Sequence, residues 1–288
     1  VRFNRIWTLL GAGAMTAALI TPQPSAAEAP ADMPKADTAP TPVPTTPVPT
    51  TPAPTTPAPT TPVPTTSART TPAPVASEPV PVDTAPVDCS AVKCVALTFD
   101  DGPGIYTPKL LTLLERQHAR ATFFVVGYNT RRYPKVLRRI VGDGFELGTH
   151  TQSHPDLRWL PPSRVRAQIR GPIDDIVAAG QPAVTLLRPP YGATNAKVTK
   201  VARKLGLAQI LWSVDPQDWA VHNSRRVAGR ILSHVSRGSI ILVHDIHPTT
   251  VGAMPKVIKT LQKRGFHLVT VSQLLGPKLE PGRKYFRQ

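Results

Sequence analysis

Two adjacent carboxylates, Asp100 and Asp101, close an apolar run from Val95 to Phe99 that only Thr98 interrupts, and Gly102-Pro103 follows at once. A strand cannot continue through Gly-Pro, so both acids belong at its C-terminal end. Unpaired charge is excluded from an apolar core, which leaves two uses for the pair: capping a surface turn, or serving a site. Further on, His150 and His154 stand at i and i+4 after a second apolar run. That spacing puts both imidazoles on one face if the segment takes a helical turn. Two imidazoles and one carboxylate make a three-ligand divalent-metal site with positions left for water and substrate. A bound metal lowers the pKa of water from about 16 to about 7. A second carboxylate beside it can then take the proton as general base.

Other residues fall at similar places. Arg188, after a third apolar run, offers a planar fork that could hold such a carboxylate ionised; a plain salt bridge at the rim is the same contact without catalysis. His244 ends the run Ile241-Leu242-Val243 and could protonate a leaving group, with Asp218 of Asp215-Pro216-Gln217-Asp218-Trp219 to hold and charge it. The role of His247 stays open. His118, His222, His234 and His267 show no convergent partners and read as structural or exposed.

The elements that must position these groups alternate. Short apolar runs at 95–99, 121–126, 145–148, 185–188, 209–214, 239–244 and 267–269 read as strands. Amphipathic stretches between them read as helices. Leu110, Leu111, Leu113 and Leu114 stripe the first, and Val136, Leu137 and Ile140 the second. Ser163 is the expected N-cap of a third, which Pro172 should kink or split. Asn195 caps a fourth carrying Val198 and Val201, a fifth is built on Val227, Ile231 and Val235, and Met254, Val257, Ile258 and Leu261 stripe the last. Seven strand–helix steps predict a parallel α/β fold, a distorted seven-stranded (β/α) barrel with every candidate residue around one mouth. An open doubly wound sheet is the alternative, without a dinucleotide or Walker fingerprint to support it. The basic tail, residues 277–288, reads as peripheral to a domain spanning 89–276.

Ahead of that domain the composition changes. Arg2 and Arg5, the apolar stretch from Ile6 to Ile20 and small residues from Ser25 to Ala29 predict that 1–29 is a signal peptide or, uncleaved, an N-terminal membrane anchor. Most of the 35 prolines lie before residue 90, and five T-P-V/A-P-T units run from Thr41 to Thr65. Residues 30–88 therefore predict a disordered Pro/Thr-rich linker that could reach about 180 Å at about 3.1 Å per residue. The chain carries +16 overall, and residues 89–288 hold 30 basic against 12 acidic residues, +18. Such a balance suits an anionic partner, and no zinc-finger, recognition-helix or single-strand-binding pattern points to nucleic acid. Cys89 and Cys94, the only cysteines, are close enough for a local disulfide worth about 2 kcal/mol by loop entropy; two free thiols are the alternative.

Taken in order, T-F-D-D-G-P (98–103), H-T-Q-S-H (150–154), R-P-P-Y (188–191), D-P-Q-D-W (215–219) and L-V-H (242–244) resemble the five motifs of the polysaccharide deacetylase family, carbohydrate esterase family 4. The resemblance implies hydrolysis of N- or O-acetyl groups on sugars. By it, Asp100 would be the base, oriented by Arg188. Asp101, His150 and His154 would hold one divalent metal ion, zinc first, with cobalt, nickel or manganese as alternatives. Pro189 and the Tyr191 backbone N–H would serve the oxyanion and substrate, a large catalytic term in acyl transfer. His244 would be the acid, tuned by Asp218, with Trp219 and Leu242 lining the acetyl pocket. The segment order resembles secreted actinobacterial peptidoglycan N-acetylglucosamine deacetylases. With the leader, the spacer and the basic charge, it implies an exported enzyme, extracellular or cell-wall associated, whose partner is anionic wall glycan; a monomer is expected. Chitin, chitooligosaccharides and acetylated xylan are the alternative substrates, and a non-catalytic, metal-containing wall-binding module is the rival from another class.

Overall fold

Strand β1 (Lys93–Asp100) is buried along its length except at Lys93, as expected of a parallel strand covered on both faces. The computed structural model describes residues 87–276 and 279–288. The expected leader and nearly all of the Pro/Thr-rich linker lie outside the described residues. Among the described residues no helix is long and apolar enough to cross a membrane. The first half of β1 pairs in parallel with β7 (Phe266–Val269), and its second half with β2 (Thr122–Val125) and β6 (Ile240–His244). From β2 the sheet continues through β3 (Glu146–Thr149), β4 (Leu186–Leu187) and β5 (Ala208–Ile210). A parallel bridge from Val214 to Ile241 curls the far side back onto β6. The result is the expected distorted barrel, with all seven expected strands present.

The two-residue period of the strands sorts core from site. Val95, Leu97 and Phe99 of β1, with Ile241 and Val243 of β6, pack into the layer under the helices. Cys94, Ala96 and Ile240 face the barrel interior with Phe124 of β2 and Ile210 of β5. Continuing along that inner face, β1 next presents Thr98 and Asp100, and β6 presents Leu242 and His244. In register, Asp100 stands beside both Phe124 and His244. The apolar floor thus gives way to polar residues at one end, where the strands stop.

The helices close the outside. Helix α1 (Thr107–Arg116) and α3 (Pro134–Gly142) begin with proline in the first turn, where the missing N–H costs nothing. Between them lies a short α2 (Gly127–Arg132) that periodicity does not reveal. Helix α4 (Pro162–Ala178) starts a residue before Ser163 and runs unbroken through Pro172. Pro172 lies on the buried face with Val165, Ile169 and Ile176, and near it the Thr149 hydroxyl donates to the Ile169 carbonyl at 2.9 Å. Packing of that face offsets the damage a proline does to a helix. Asn195 caps α5 (Ala196–Lys204) by accepting from the Val198 N–H at 3.0 Å. Helices α6 (Ser224–His234) and α7 (Pro248–Lys263) follow, and a short α8 (Val271–Leu275) completes the set.

The C-terminal tail is not peripheral. Lys284–Tyr285 forms an eighth strand, β8, parallel to β5. The Gln209 and Leu211 N–H groups donate to the carbonyls of Arg283 (2.8 Å) and Tyr285 (2.7 Å), and Arg287 bridges to Ser239 beside β6. The tail satisfies backbone groups that β5 would otherwise leave open. At the other terminus, Cys89 and Cys94 form a disulfide with Cα atoms 5.4 Å apart, fixing the chain's entry into β1.

Candidate active site

The turn after β1 carries the first ligand candidate. Asp101 takes a left-handed backbone, φ +71°, which aspartate tolerates better than most residues. Asn129 of α2 donates to its carbonyl at 2.7 Å, and the Val126 N–H donates to the next carbonyl, that of Gly102, at 3.0 Å. Opposite, β3 ends at Thr149, and the loop beyond it is held in place rather than helical. Thr151 and His154 both have positive φ, and the Thr151 hydroxyl accepts from the His154 N–H at 3.0 Å. The loop therefore aims both imidazoles at Asp101. His154 Nε2 lies 3.5 Å and His150 Nε2 3.6 Å from Asp101 Oδ1.

These three side chains fit a divalent cation. Their donor atoms all lie within 4.8 Å of one another. The distances to Asp101 are close to the edge of about 3.4 Å between ligands of a tetrahedral ion with bonds near 2.1 Å. Asp101 Oδ1 is buried and has no hydrogen-bond partner among the described residues. His150 Nδ1 donates to the Arg188 carbonyl at 2.6 Å, which leaves the Nε2 lone pair free to bind. Burial drives the His150 pKa down to about 3 against the pull of Asp101, so the ring is neutral, as a metal ligand must be.

Asp100 is 2% exposed, and its Oδ2 lies 3.6 Å from His150 Nε2. Burial pushes its carboxyl up, against the opposing charge of Arg188. The guanidinium of Arg188 is wholly buried and uses four contacts at once. Nη1 donates to Asp100 Oδ1 and to the Thr98 hydroxyl, both at 2.7 Å. Nε and Nη2 donate to the carbonyls of Ile210 (3.0 Å) and Leu211 (3.1 Å). Its plane also lies over the Phe124 ring, 4.2 Å from the centroid. So many fixed partners leave the guanidinium one geometry, with Nη1 against Asp100.

Across the cleft, Asp218 is buried and grips His244 twice. Its Oδ1 lies 2.9 Å from His244 Nδ1, and its Oδ2 accepts from the His244 N–H at 2.8 Å and the Thr250 hydroxyl at 2.6 Å. Burial raises the Asp218 pKa, but the bonds from His244 and Thr250 outweigh it and hold the carboxyl below its ordinary value. For His244 burial opposes the charge, yet Asp218, Asp100 and Asp101 prevail and push its pKa up to about 9. The ring is an imidazolium at neutral pH, ready to donate.

Asp100, Asp101, His150, His154 and His244 line one cavity of about 430 Å³, with Tyr191, Trp219 and Leu242. Tyr191 sits in a turn at φ +61°, its ring edge-on to His154 with centroids 4.6 Å apart. Pro189 is buried at the start of that turn and is not among the residues that line the cavity. A larger space, about 660 Å³, opens beside Cys89 and Leu274, with Asp88 as its one acidic side chain; nothing converges there. His247 stands edge-on to both His244 and His222, with centroids 5.9 and 6.2 Å away. Trp212 and Asp215 also line the cavity. The sequence places Trp212 inside the expected strand 209–214, and only the strand's early end at Ile210 turns it toward the mouth. Asp245 is wholly buried, and burial pushes its carboxyl up to about 7; its only sequence signal was adjacency to His244.

The polysaccharide deacetylase family profile matches residues 88–210. Over 193 residues the chain is 37% identical to the peptidoglycan-N-acetylglucosamine deacetylase PgdA of Listeria monocytogenes, covering 67% of this chain and 41% of that protein. It is 36% identical to a chitooligosaccharide deacetylase of a Bradyrhizobium strain, covering 62% of this chain and 90% of that one. Among solved structures, a T48 deacetylase with its substrate superposes with a TM-score of 0.66 at 42% identity, covering 69% of this chain and 99% of that one. The chain thus spans about two fifths of the Listeria protein's length.

Proposed function

The chain belongs to the polysaccharide deacetylase family, and on that footing we propose that it hydrolyses the N-acetyl group of N-acetylglucosamine in peptidoglycan, releasing acetate. The observation that carries the reading is the pairing of two carboxylates with different surroundings. Asp101 faces two imidazoles within 3.6 Å, whereas Asp100 meets only one of them, at 3.6 Å, and is held by Arg188 at 2.7 Å. One is placed to bind a cation, the other to remain a free base.

In this mechanism Asp101, His150 and His154 hold a divalent ion, zinc being the first choice for one oxygen and two nitrogen donors. Such an ion supplies Lewis acidity, making water more acidic and a carbonyl more electrophilic. Asp100 takes the proton of the attacking water, held in place by Arg188. As negative charge grows on the acetyl oxygen, the Tyr191 N–H donates to it; a leading N–H of a short turn has no partner within that turn. His244 then protonates the sugar nitrogen, and Asp218 keeps it charged until it does. Trp219 and Leu242 enclose the acetyl methyl, and Pro189 shapes the turn that presents Tyr191.

The charge of +18 over residues 89–288 and the Listeria relative favour an anionic wall glycan. The leader and linker expected over residues 1–88 would carry the domain to the cell wall or beyond, as a monomer that does not engage nucleic acid. One observation favours a second reading: the Bradyrhizobium relative, covered over 90% of its length, is a chitooligosaccharide deacetylase. Acetate release from purified peptidoglycan, chitooligosaccharides and acetylated xylan separates the substrates. Turnover of chitooligosaccharides without turnover of wall glycan would reject peptidoglycan. Glycan binding without acetate release from any polymer would reject the enzyme.

A further inference from the structure

Strand β6 ends in His244, and a second ionisable residue, Asp245, follows it at once with a different task. His244 faces the cleft, but the next residue, Asp245, turns its carboxyl into the protein and is fully buried. Its Oδ2 accepts from the Thr107 hydroxyl, and that hydroxyl accepts in turn from the Gly104 N–H at 2.7 Å. Both carboxyl oxygens lie against the backbone of Gly102, where a Cβ would come within 2.5 Å of each. Oδ1 has no hydrogen-bond partner among the described residues. A carboxyl is a costly filler for such a space, since it buries one oxygen without a partner.

What the carboxyl touches explains its presence. Gly102 and Gly104 belong to the turn that carries Asp101, whose left-handed backbone must be held by its surroundings. Asn129 and Val126 grip that turn from one side; Asp245 and Thr107 grip it from the other. We infer that Asp245 is a positioning residue for Asp101: packed under Gly102 and bonded to Thr107, it fixes the turn that aims the Asp101 carboxylate at His150 and His154. This rests on the reading of Asp101 as a metal ligand.

Cobalt(II) binding to the full chain, stripped of metal, provides the test. Affinity is measured against a competing chromophoric chelator and geometry by the visible absorption of the bound ion, with the melting temperature of the metal-free chain in parallel. Loss of an outer support weakens metal binding by about 10–100-fold, so Asp245→Ala should bind cobalt at least ~10-fold more weakly with an altered spectrum. Asp245→Asn keeps the volume and the acceptor for Thr107, and should stay within about threefold of wild type, a small part of that range. A residue that merely stabilised the fold would lower the melting temperature and leave affinity and spectrum unchanged; that result in Asp245→Ala overturns the inference. Should Asp245→Ala fail to fold, Thr107→Val decides, because it removes the hydroxyl bridge while keeping the shape: weakened binding supports the inference and wild-type binding overturns it. A wild-type chain that takes up no cobalt would instead overturn the metal reading itself, and this inference with it.

Discussion

Replacing Asp218 by Asn should move the alkaline limit of activity rather than lower activity uniformly. The Asp218 carboxylate, which touches His244 at 2.8 and 2.9 Å, is the largest favourable influence holding the His244 pKa near 9. Without that charge the imidazole should fall toward its ordinary value of ~6.5, burial working against the remaining pull of Asp100 and Asp101. A general acid works only while protonated, so the wild-type rate should decline above about pH 9 and the variant's above ~6.5. At about pH 8 the protonated fraction would drop from ~0.9 to ~0.03, a loss of about 30-fold, whereas at about pH 6 the loss is under twofold. The same shift is worth about 3 kcal/mol of stability. Its sign follows from the two groups. The raised His244 pKa stabilises below ~6.5 and fades as pH rises through 9, and the lowered Asp218 pKa stabilises above ~4. The variant's stability deficit should therefore be largest between about pH 4 and 6.5. The assay is kcat/KM for acetate release across pH, beside urea unfolding at several pH values. An equal loss at every pH, with the alkaline limb unmoved, would refute the assignment of His244 as acid.

Asp100→Asn should reduce turnover by about 10²–10⁴-fold while the metal content of the chain stays unchanged; a variant of undiminished activity would remove Asp100 from the chemistry. Arg188→Met leaves the Asp100 charge buried without its partner and should cost about 3–5 kcal/mol in urea unfolding, whereas a loss below ~1 kcal/mol would mean the pair is replaceable by packing. Converting both Cys89 and Cys94 to Ser should cost about 2 kcal/mol, the value for so short a loop, and leave kcat unaltered because the bridge lies at the far end of β1 from Asp100. A change in kcat at full folding would show that the entry staple reaches the site.

The site was more legible in the sequence than its supports were. Asp100, Asp101, His150, Arg188 and His244 all stand where an apolar run stops, and a parallel barrel brings such ends together whatever the helices do. Thr98, by contrast, reads as a blemish in a strand. In the fold its hydroxyl donates to the Ile241 carbonyl at 2.6 Å and accepts from Arg188 at 2.7 Å, a role set by partners 143 and 90 positions away. Thr107, Asn129, Thr250 and Asp245 are hidden likewise, since their partners lie 28 to 138 positions away. Strand β8 was missed because two residues carry no period, and its existence depends on an open edge of β5 that only the folded sheet reveals. Pro172 was overread: local chemistry predicts a break, and the packed face of α4 overrides it.

Metal content and acetate release measured on one preparation bear most directly on the central claim, that Asp101, His150 and His154 hold a divalent ion beside the free base Asp100. The account predicts about one divalent ion per chain, acetate release from purified peptidoglycan that stops on chelation, and recovery when zinc or cobalt is restored. Acetate release that persists after complete metal removal would contradict it.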